Sequence, residues 1–389
     1  MNRMSDDVMV AGIGQVPVGE HWQLSLRNLA AQAMLAAIRD AGGLQPQAIY
    51  IGNYLASVAS EQANLGALLA ESIGLPGVEG MTAEAGEASG AAALHLAWQA
   101  VRSGMVASAL VVGVEKYTDV VGPQMENIIV QSADYDFEGI QGISLSAIAG
   151  MLMQRYLNEY GAPREAFAAF PILAHANAVN NPNAFYRRRI THEDYLQAEL
   201  VSDPLNRFDT APYGDGAAAV LLTRRGNLSG NFPHPLVSLS ASSLVTDTLS
   251  LHDRQNPLAW DAAHLSCERA YQQAGIAPEQ VDLFEYWDAF SIYAVLCLET
   301  AGFAEAGKGW QLGRDGSLEL KGRLPAATLG GLKARGFPLG ASGVYQAVDA
   351  VTQLRRQAGL NQIEDARVAL VQSLGGPAAT SVTQILQAV

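Results

Sequence analysis

The stretch MTAEAGEASGAAA, Met81 to Ala93, decides how the rest of the chain is interpreted. Its small residues surround one carboxylate, Glu87, and lead directly into the apolar helical pattern of Ala91 to Val101. Small side chains let backbone N–H groups approach a ligand at the start of a helix. Glu87 is therefore predicted in the first helical turn or just before it, where the helix dipole favours the ionised carboxylate. The same pattern also fits an ordinary helix-start carboxylate without a chemical role.

The composition excludes several classes of protein. The 389 residues, 49% of them hydrophobic, suffice for a large core or two fused domains. No stretch approaches the roughly 20 apolar residues of a membrane helix, and the N-terminus lacks the pattern of a signal peptide. Two cysteines, Cys267 and Cys297, and seven dispersed histidines predict neither a disulfide framework nor a metal site. These features together lead us to expect a cytoplasmic protein. A net charge of −14 argues against a nucleic-acid or anionic-membrane surface.

The apolar segments predict a covered central sheet. Val8 to Ile13 and Ala48 to Ile51 predict strands, and Leu24 to Asp40 between them predicts a helix. Ala107 to Val114 is a continuous apolar run, which is typical of a strand buried on both faces. We therefore predict an α/β fold with a parallel or mixed sheet between helices.

The second half of the chain repeats the order of the first. Ile38 to Tyr54 matches Tyr271 to Trp287, because each combines a helix end, an Ala-Gly stop, a proline turn and a strand. Glu87 to Val101 likewise pairs with Gly340 to Leu354. We predict two similar halves, residues 1–228 and 229–389, with a long insertion at about 118–208 in the first half only. An insertion of this length is usually functional, as a pocket roof or a subunit contact.

Several motifs together carry a resemblance that covers nearly the whole chain. They are EAGEASG around Glu87, RRRITHEDYL (187–196), SDPLNRFDTAPYGDGAAAVLLT (202–223), AGIAPEQVDLFEYWDAF (274–290), GFPLGASG (336–343) and SLGGPA (373–378). With these motifs the chain resembles the thiolase superfamily, and most closely its sterol-carrier-protein-x and archaeal-type acetyl-CoA acetyltransferase-like branch. The resemblance implies the thiolase fold, two duplicated α–β–α–β–α halves, in a usually dimeric protein that handles coenzyme A thioesters.

The residues at the family's catalytic positions differ from the usual ones. The resemblance puts Glu87 where the family has its nucleophilic cysteine. Phe337 stands where the GHPxGASG motif has histidine, and Trp287 stands where HDAF or NEAF has histidine or asparagine. The asparagine that precedes the glycine pair in many relatives falls at Ala327. Because neither cysteine lies at the nucleophile position, no acyl-enzyme of the usual kind can form.

The resemblance retains other candidate site groups. The glycine-rich segments of the second half can still present N–H groups to a thioester oxygen. These binding candidates are Gly331, Gly340, Ser342 and Gly376. Asp288 also remains, either as a catalytic group or, in the simpler interpretation, as the N-cap of a helix that begins at Phe290.

Three consecutive arginines, Arg187, Arg188 and Arg189, lie in the predicted insertion. In relatives this region contributes to the coenzyme A site, and arginine is suited to bind phosphate groups. The alternative is a solvated basic turn in an acidic protein.

Three functions remain open. The first is a non-catalytic, supportive thiolase-fold subunit, as a homodimer or with a thiolase relative or a small OB-fold, zinc-ribbon protein. The second is a diverged acyl-CoA lyase, retro-aldol or decarboxylating, with Glu87 as base and only Tyr286 or Tyr345 near the lost histidines. The third is an ordinary acetyl-CoA acyltransferase. Each would take a coenzyme A thioester as ligand, and none needs another cofactor.

Overall fold

Eleven strands and thirteen α-helices form in residues 7–389, the part of the chain that the computed structural model describes. The strands are β1 (Val8–Gln15), β2 (Ala48–Gly52), β3 (Glu79–Ala83), β4 (Ser108–Glu115), β5 (Leu200–Ser202), β6 (Leu205–Asn206), β7 (Gly216–Arg224), β8 (Val237–Thr246), β9 (Leu283–Glu285), β10 (Val368–Gly375) and β11 (Thr380–Ala388). The helices are α1 (Leu26–Asp40), α2 (Ala56–Ala59), α3 (Leu65–Ser72), α4 (Ser89–Ser103), α5 (Pro123–Ile129), α6 (Leu145–Tyr160), α7 (Ala169–Ala178), α8 (His192–Leu196), α9 (Asp261–Ala274), α10 (Ser291–Thr300), α11 (Gly309–Arg314), α12 (Gly331–Arg335) and α13 (Ser342–Leu354).

Nine strands form one mixed sheet in the order β3-β2-β4-β7-β1-β8-β11-β10-β9. A single bridge between Met9 and Ser238 joins β1 to β8 at the centre. Outward from this junction both sides repeat the same pairing, two antiparallel contacts followed by a parallel one. In the first half, strand β3 makes the outermost parallel contact, with β2. In the second half, the equivalent contact is a single parallel bridge between Phe284 and Ala326. The duplication predicted from the sequence is therefore present in the sheet.

Helices cover both faces of each half of the sheet. Helices α1 and α3 pack on one outer face, α4 and α13 lie between the two halves, and α9 and α10 pack on the other outer face. The result is the α–β–α–β–α arrangement. All eight residues of β4 are buried, as its continuous apolar run predicts, because helices lie on both of its sides.

The two central helices approach closely because small residues face each other. A Cβ atom on Gly343 would lie 2.7 Å from the backbone N of Ala91, and one on Gly90 would lie 2.7 Å from the backbone O of Gly340. Only glycine fits at these crossings. The N-terminal ends of α4 and α13 consequently lie side by side, and they bring the two halves together beside Glu87.

Residues 118–208 contribute α5 to α8 and the short hairpin of β5 and β6. The hydroxyl of Tyr156 on α6 donates a hydrogen bond to Glu299 on α10, so this region packs on the second half. Strand β3 was not predicted, because four of its five residues are exposed and give no apolar pattern. No helix within residues 7–389 has the length and apolar character needed to cross a bilayer.

Candidate functional site

Glu87 lies two residues before α4 begins at Ser89, and only 3% of its surface is exposed. Its Oε2 accepts a hydrogen bond from the backbone N–H of Gly376 at 2.7 Å, and its Oε1 accepts one from the Ser132 hydroxyl at 2.7 Å. Gly376 has a φ of +57°, and a Cβ there would lie 2.4 Å from the backbone O of Ser132, so glycine is required. The carboxylate therefore connects the start of α4, the end of β10 and the segment after α5.

Burial raises the pKa of Glu87, and the hydrogen bonds from Gly376 and Ser132 offset only part of this effect. The helix dipole favours the ionised carboxylate and burial opposes it, and the net direction of the pKa shift is upward. Removal of the carboxylate from water opposes ionisation more strongly than the N–H and O–H donors favour it.

Aromatic rings occupy the positions that the resemblance assigned to histidine and asparagine. Trp287 meets the ring of Phe337 edge-on, with 5.6 Å between ring centroids. Phe337 stacks on Tyr213 at 6.2 Å, and Tyr213 meets Tyr117 edge-on at 6.2 Å. The Tyr117 hydroxyl donates a hydrogen bond to the backbone O of Phe337 at 2.8 Å. The segment at Phe337 is thus held in place by aromatic contacts, and neither Trp287 nor Phe337 can transfer a proton.

Asp288 does not cap the helix that was predicted to begin at Phe290. Helix α10 begins at Ser291, and no side chain caps it. Asp288 is buried and instead accepts a hydrogen bond from the backbone N–H of Leu332 at 2.7 Å, in the first turn of α12. A Cβ on Gly331 would lie 2.4 Å from Oδ2 of Asp288. Gly331, predicted as a ligand-binding residue, therefore allows this contact.

The other predicted binding residues, Gly376, Gly340 and Ser342, are buried and closely packed. The Gly376 N–H is donated to Glu87. A Cβ on Gly340 would lie 2.6 Å from Oε1 of Glu115, so this glycine fits against a buried carboxylate. Ser342 opens α13, and its buried hydroxyl has no hydrogen-bond partner among residues 7–389.

A cavity of about 640 Å³ opens beside Phe337. Six rings give it its apolar lining: Phe185, Tyr186, Phe208, Tyr213, Phe290 and Phe337. We call it the aromatic cavity. Arg188, Arg207, His175 and Lys333 add basic groups to its wall. Glu87 and Trp287 do not line it.

The three consecutive arginines separate in space. Arg188 lines the aromatic cavity, Arg189 lines a different cavity beside α7, and Arg187 lines neither of the two. All three side chains are exposed. The structure therefore brings one of the three predicted phosphate-binding residues to the aromatic cavity.

Three basic residues of this cavity, Arg207, His175 and Lys333, were missed in the sequence. The Nδ1–H of His175 donates to the backbone O of Arg188 at 3.1 Å, and burial lowers the pKa of this imidazole. Lys333 Nζ donates to the backbone O of Asp209 at 2.7 Å and to that of Phe208 at 3.4 Å. Burial lowers the pKa of Lys333 to about 8. One signal was available, because Lys333 is one of only four lysines and stands in a glycine-rich apolar stretch.

The remaining candidate groups lie elsewhere. The Tyr345 hydroxyl donates to the backbone O of Val16, and the buried Tyr286 hydroxyl has no partner among the described residues. Cys267 and Cys297 are buried within α9 and α10, and burial raises the pKa of Cys267 to about 12. Within residues 7–389, no group of three or more His, Cys, Asp or Glu side chains is arranged to hold a metal ion.

Comparisons with known proteins agree with the fold. Residues 8–226 match the thiolase N-terminal domain, and residues 243–388 match the thiolase C-terminal domain-like family. An acetyl-CoA acetyltransferase of Methanothermobacter thermautotrophicus is 37% identical over 381 residues, 97% of this chain and 99% of the relative. The benzoylsuccinyl-CoA thiolase subunit BbsB of Thauera aromatica is 27% identical over 380 residues, 96% of each chain. The solved structure of an Ltp2-ChsH2(DUF35) aldolase has a TM-score of 0.86 at 24% identity, covering 99% of this chain and 98% of that one. The two matched domains and the full-length similarity at 37% identity show that this chain belongs to the thiolase family.

Proposed function

We propose that this chain is a thiolase-family subunit that binds an acyl-CoA thioester, forms no acyl-enzyme at the nucleophile position, and acts within a heteromeric acyl-CoA-processing complex in the cytoplasm. The observation that carries the proposal is the hydrogen bond from the Gly376 N–H to Oε2 of Glu87. A carboxylate thus occupies the nucleophile position, and it accepts the backbone N–H that would otherwise be needed to stabilise a thioester oxygen.

Acyl transfer in this family needs a thiol, a base that activates it and N–H donors for the oxyanion. In this chain Glu87 replaces the cysteine, Phe337 replaces a histidine, and Trp287 replaces a histidine or asparagine. A carboxylate nucleophile would give a mixed anhydride, which water hydrolyses far more readily than a thioester. The active site is therefore degenerate for thiolysis, and the third function, ordinary acyl transfer, has no nucleophile.

The aromatic cavity supports the binding of a large acyl-CoA. Its six rings suit a bulky apolar acyl group, and Arg188 and Arg207 suit the phosphates of the nucleotide. This assignment makes coenzyme A thioesters the ligand class and requires no further cofactor.

A second protein component is part of the proposal. BbsB is by name one subunit of a thiolase, and the Ltp2-ChsH2(DUF35) aldolase is by name a two-component enzyme. We expect the partner to be a thiolase relative or a small OB-fold, zinc-ribbon protein, with a homodimer as the alternative. Co-expression with the proteins encoded beside this chain tests the point. A stable homodimer that turns over acyl-CoA without any partner would contradict it.

Calorimetric titration of the purified chain with coenzyme A and with acetyl-CoA tests ligand binding. The proposal predicts saturable binding of both. Absence of binding would remove the acyl-CoA role and leave a scaffold.

One observation favours a second candidate, the acyl-CoA lyase. Because burial raises the pKa of Glu87, its carboxyl group is closer to the neutral range in which a side chain can act as general acid or base. The test is cleavage of a β-hydroxyacyl-CoA by the Glu87→Gln variant, with Glu84→Gln as the control. Cleavage that survives Glu87→Gln unchanged would exclude Glu87 as the base.

A further inference from the structure

The four lysines of the chain have different surroundings. Lys308 and Lys321 are exposed, and Lys308 pairs with Glu305 at 2.6 Å. Lys116 is buried, and its Nζ lies 2.5 Å from Asp119 Oδ2 and 3.1 Å from Asp215 Oδ2.

Lys333 is buried without such a partner. It is 2% exposed, and no carboxylate oxygen of residues 7–389 lies within ion-pair distance of its Nζ. Its two acceptors are the backbone oxygens of Phe208 and Asp209. Burial lowers its pKa to about 8, although the more distant charges of Asp288 and Asp209 raise it.

These acceptors fit a neutral amine as well as an ammonium group. A neutral amine has two N–H bonds and one lone pair, and the two carbonyl oxygens account for both N–H bonds. The lone pair is then directed away from these carbonyls. Lys333 lines the aromatic cavity, so a ligand bound there lies beside this side chain.

We propose that Lys333 is an acyl-acceptor site, at which a thioester bound in the aromatic cavity acylates the chain. The inference rests on the proposed binding of acyl-CoA. The lone pair of Nζ attacks the thioester carbonyl carbon, a C–N bond forms and the C–S bond breaks. Coenzyme A leaves as a thiolate and takes the proton that Nζ loses. The step needs no oxidant, reductant or metal.

The product determines the role of the site. An amide does not return its acyl group to a thiol, so acylated Lys333 is not a carrier in a catalytic cycle. The amide nitrogen retains one N–H, so one of the bonds to Phe208 and Asp209 is lost, and the acyl group fills part of the cavity. Acylation therefore closes the aromatic cavity to further ligand and limits itself to one event per chain.

The four lysines provide the test within one protein. The chain is incubated with acetyl-CoA at pH 8, and acetylation of each lysine is measured by peptide mass spectrometry. At this pH the fraction of neutral amine is about 100-fold larger at Lys333 than at an exposed lysine of ordinary pKa. We expect at least about 10-fold more acetylation of Lys333 than of Lys308 or Lys321. Excess free coenzyme A should suppress only the Lys333 product, and equal labelling of all lysines would overturn the proposal.

A small ester separates this inference from the proposed function. p-Nitrophenyl acetate reaches a reactive amine without a coenzyme A site. Labelling of Lys333 by both reagents supports the proposal. Labelling by the small ester alone overturns transfer from a bound thioester, and calorimetry then decides separately whether coenzyme A binds. Labelling by neither overturns the reactivity of Lys333, while calorimetry still decides coenzyme A binding. Lys333→Arg should remove the product, and the comparison among wild-type lysines stands even where this variant does not fold.

Discussion

Replacing Glu87 with glutamine removes the ionisable group and preserves the shape of the site. In Glu87→Gln the amide Oε1 can accept the Gly376 N–H, and the amide N–H can donate to the Ser132 hydroxyl, which rotates to accept it. Both contacts at 2.7 Å therefore persist with reversed polarity at Ser132. The variant isolates the free energy of ionising a buried carboxyl group.

The expected effect follows from the direction in which burial moves the pKa. The folded pKa of Glu87 lies above its ordinary value of 4.5. Between these two values the native chain holds a proton that the unfolded chain has lost, so the free energy of unfolding falls as pH rises. This fall amounts to about 1.4 kcal/mol for every pH unit that separates the ordinary pKa from the folded one. The free energy of unfolding of Glu87→Gln does not fall in this way. Its excess over that of the wild type should therefore appear above pH 4.5, increase with pH and then level off.

Urea unfolding of both proteins between pH 4.5 and pH 9 measures this difference. Other buried carboxyl groups are common to both proteins, but Glu115 does not cancel fully, because the charge of Glu87 contributes to its raised pKa. The matched control is Glu84→Gln, an exposed carboxylate three residues away that accepts the Gly86 N–H at 2.6 Å. Its difference from wild type should stay within about 0.5 kcal/mol at every pH. If Glu87→Gln were destabilised by about 2 kcal/mol at pH 8, the hydrogen bonds would outweigh burial, and the reasoning would be refuted.

Three further predictions concern buried charge, helix capping and ligand binding. Burial raises the pKa of Glu115 from 4.5 to about 8, so the free energy of unfolding of the wild type should fall by up to about 5 kcal/mol between these pH values. Glu115→Gln should not show this fall, and a pH profile equal to that of the wild type would contradict the prediction. Asp288→Ala should lower the free energy of unfolding in urea by about 1–3 kcal/mol, because α12 loses its cap. Replacing the exposed Asp261 with alanine should lower it by less than about 0.5 kcal/mol. Equal effects of the two substitutions would exclude the cap. Arg188→Ala should weaken coenzyme A binding about 10-fold in calorimetry, and a similar loss in Arg187→Ala would show a nonspecific charge effect.

The main strands and the duplicated order could be predicted because they depend on local pattern. The apolar run in β4 and the repeated helix-stop-strand order persist in the structure. Strand β3 could not be predicted, because an exposed edge strand needs no apolar alternation. Its counterpart in the second half is reduced to one bridge at Ala326, which no sequence pattern marks.

The site depends on contacts between distant parts of the chain. The helix-start position of Glu87 follows from its neighbours, but its partner Gly376 is 289 residues away and Ser132 is 45 residues away. The local rule for helix caps failed at Asp288, because its acceptor atoms face a helix 44 residues further along. The lowered pKa of Lys333 arises from burial by the tertiary structure, and burial of a lysine is not visible in its neighbours.

We expect that the carboxylate at the nucleophile position leaves this thiolase-family chain without thiolysis activity. The most direct test is thiolysis of acetoacetyl-CoA by free coenzyme A, measured with the purified chain. We predict no turnover above the rate without protein, for wild type and for Glu87→Gln alike. Turnover by the wild type above that rate would contradict this expectation, and its loss in Glu87→Gln would assign the activity to the carboxylate.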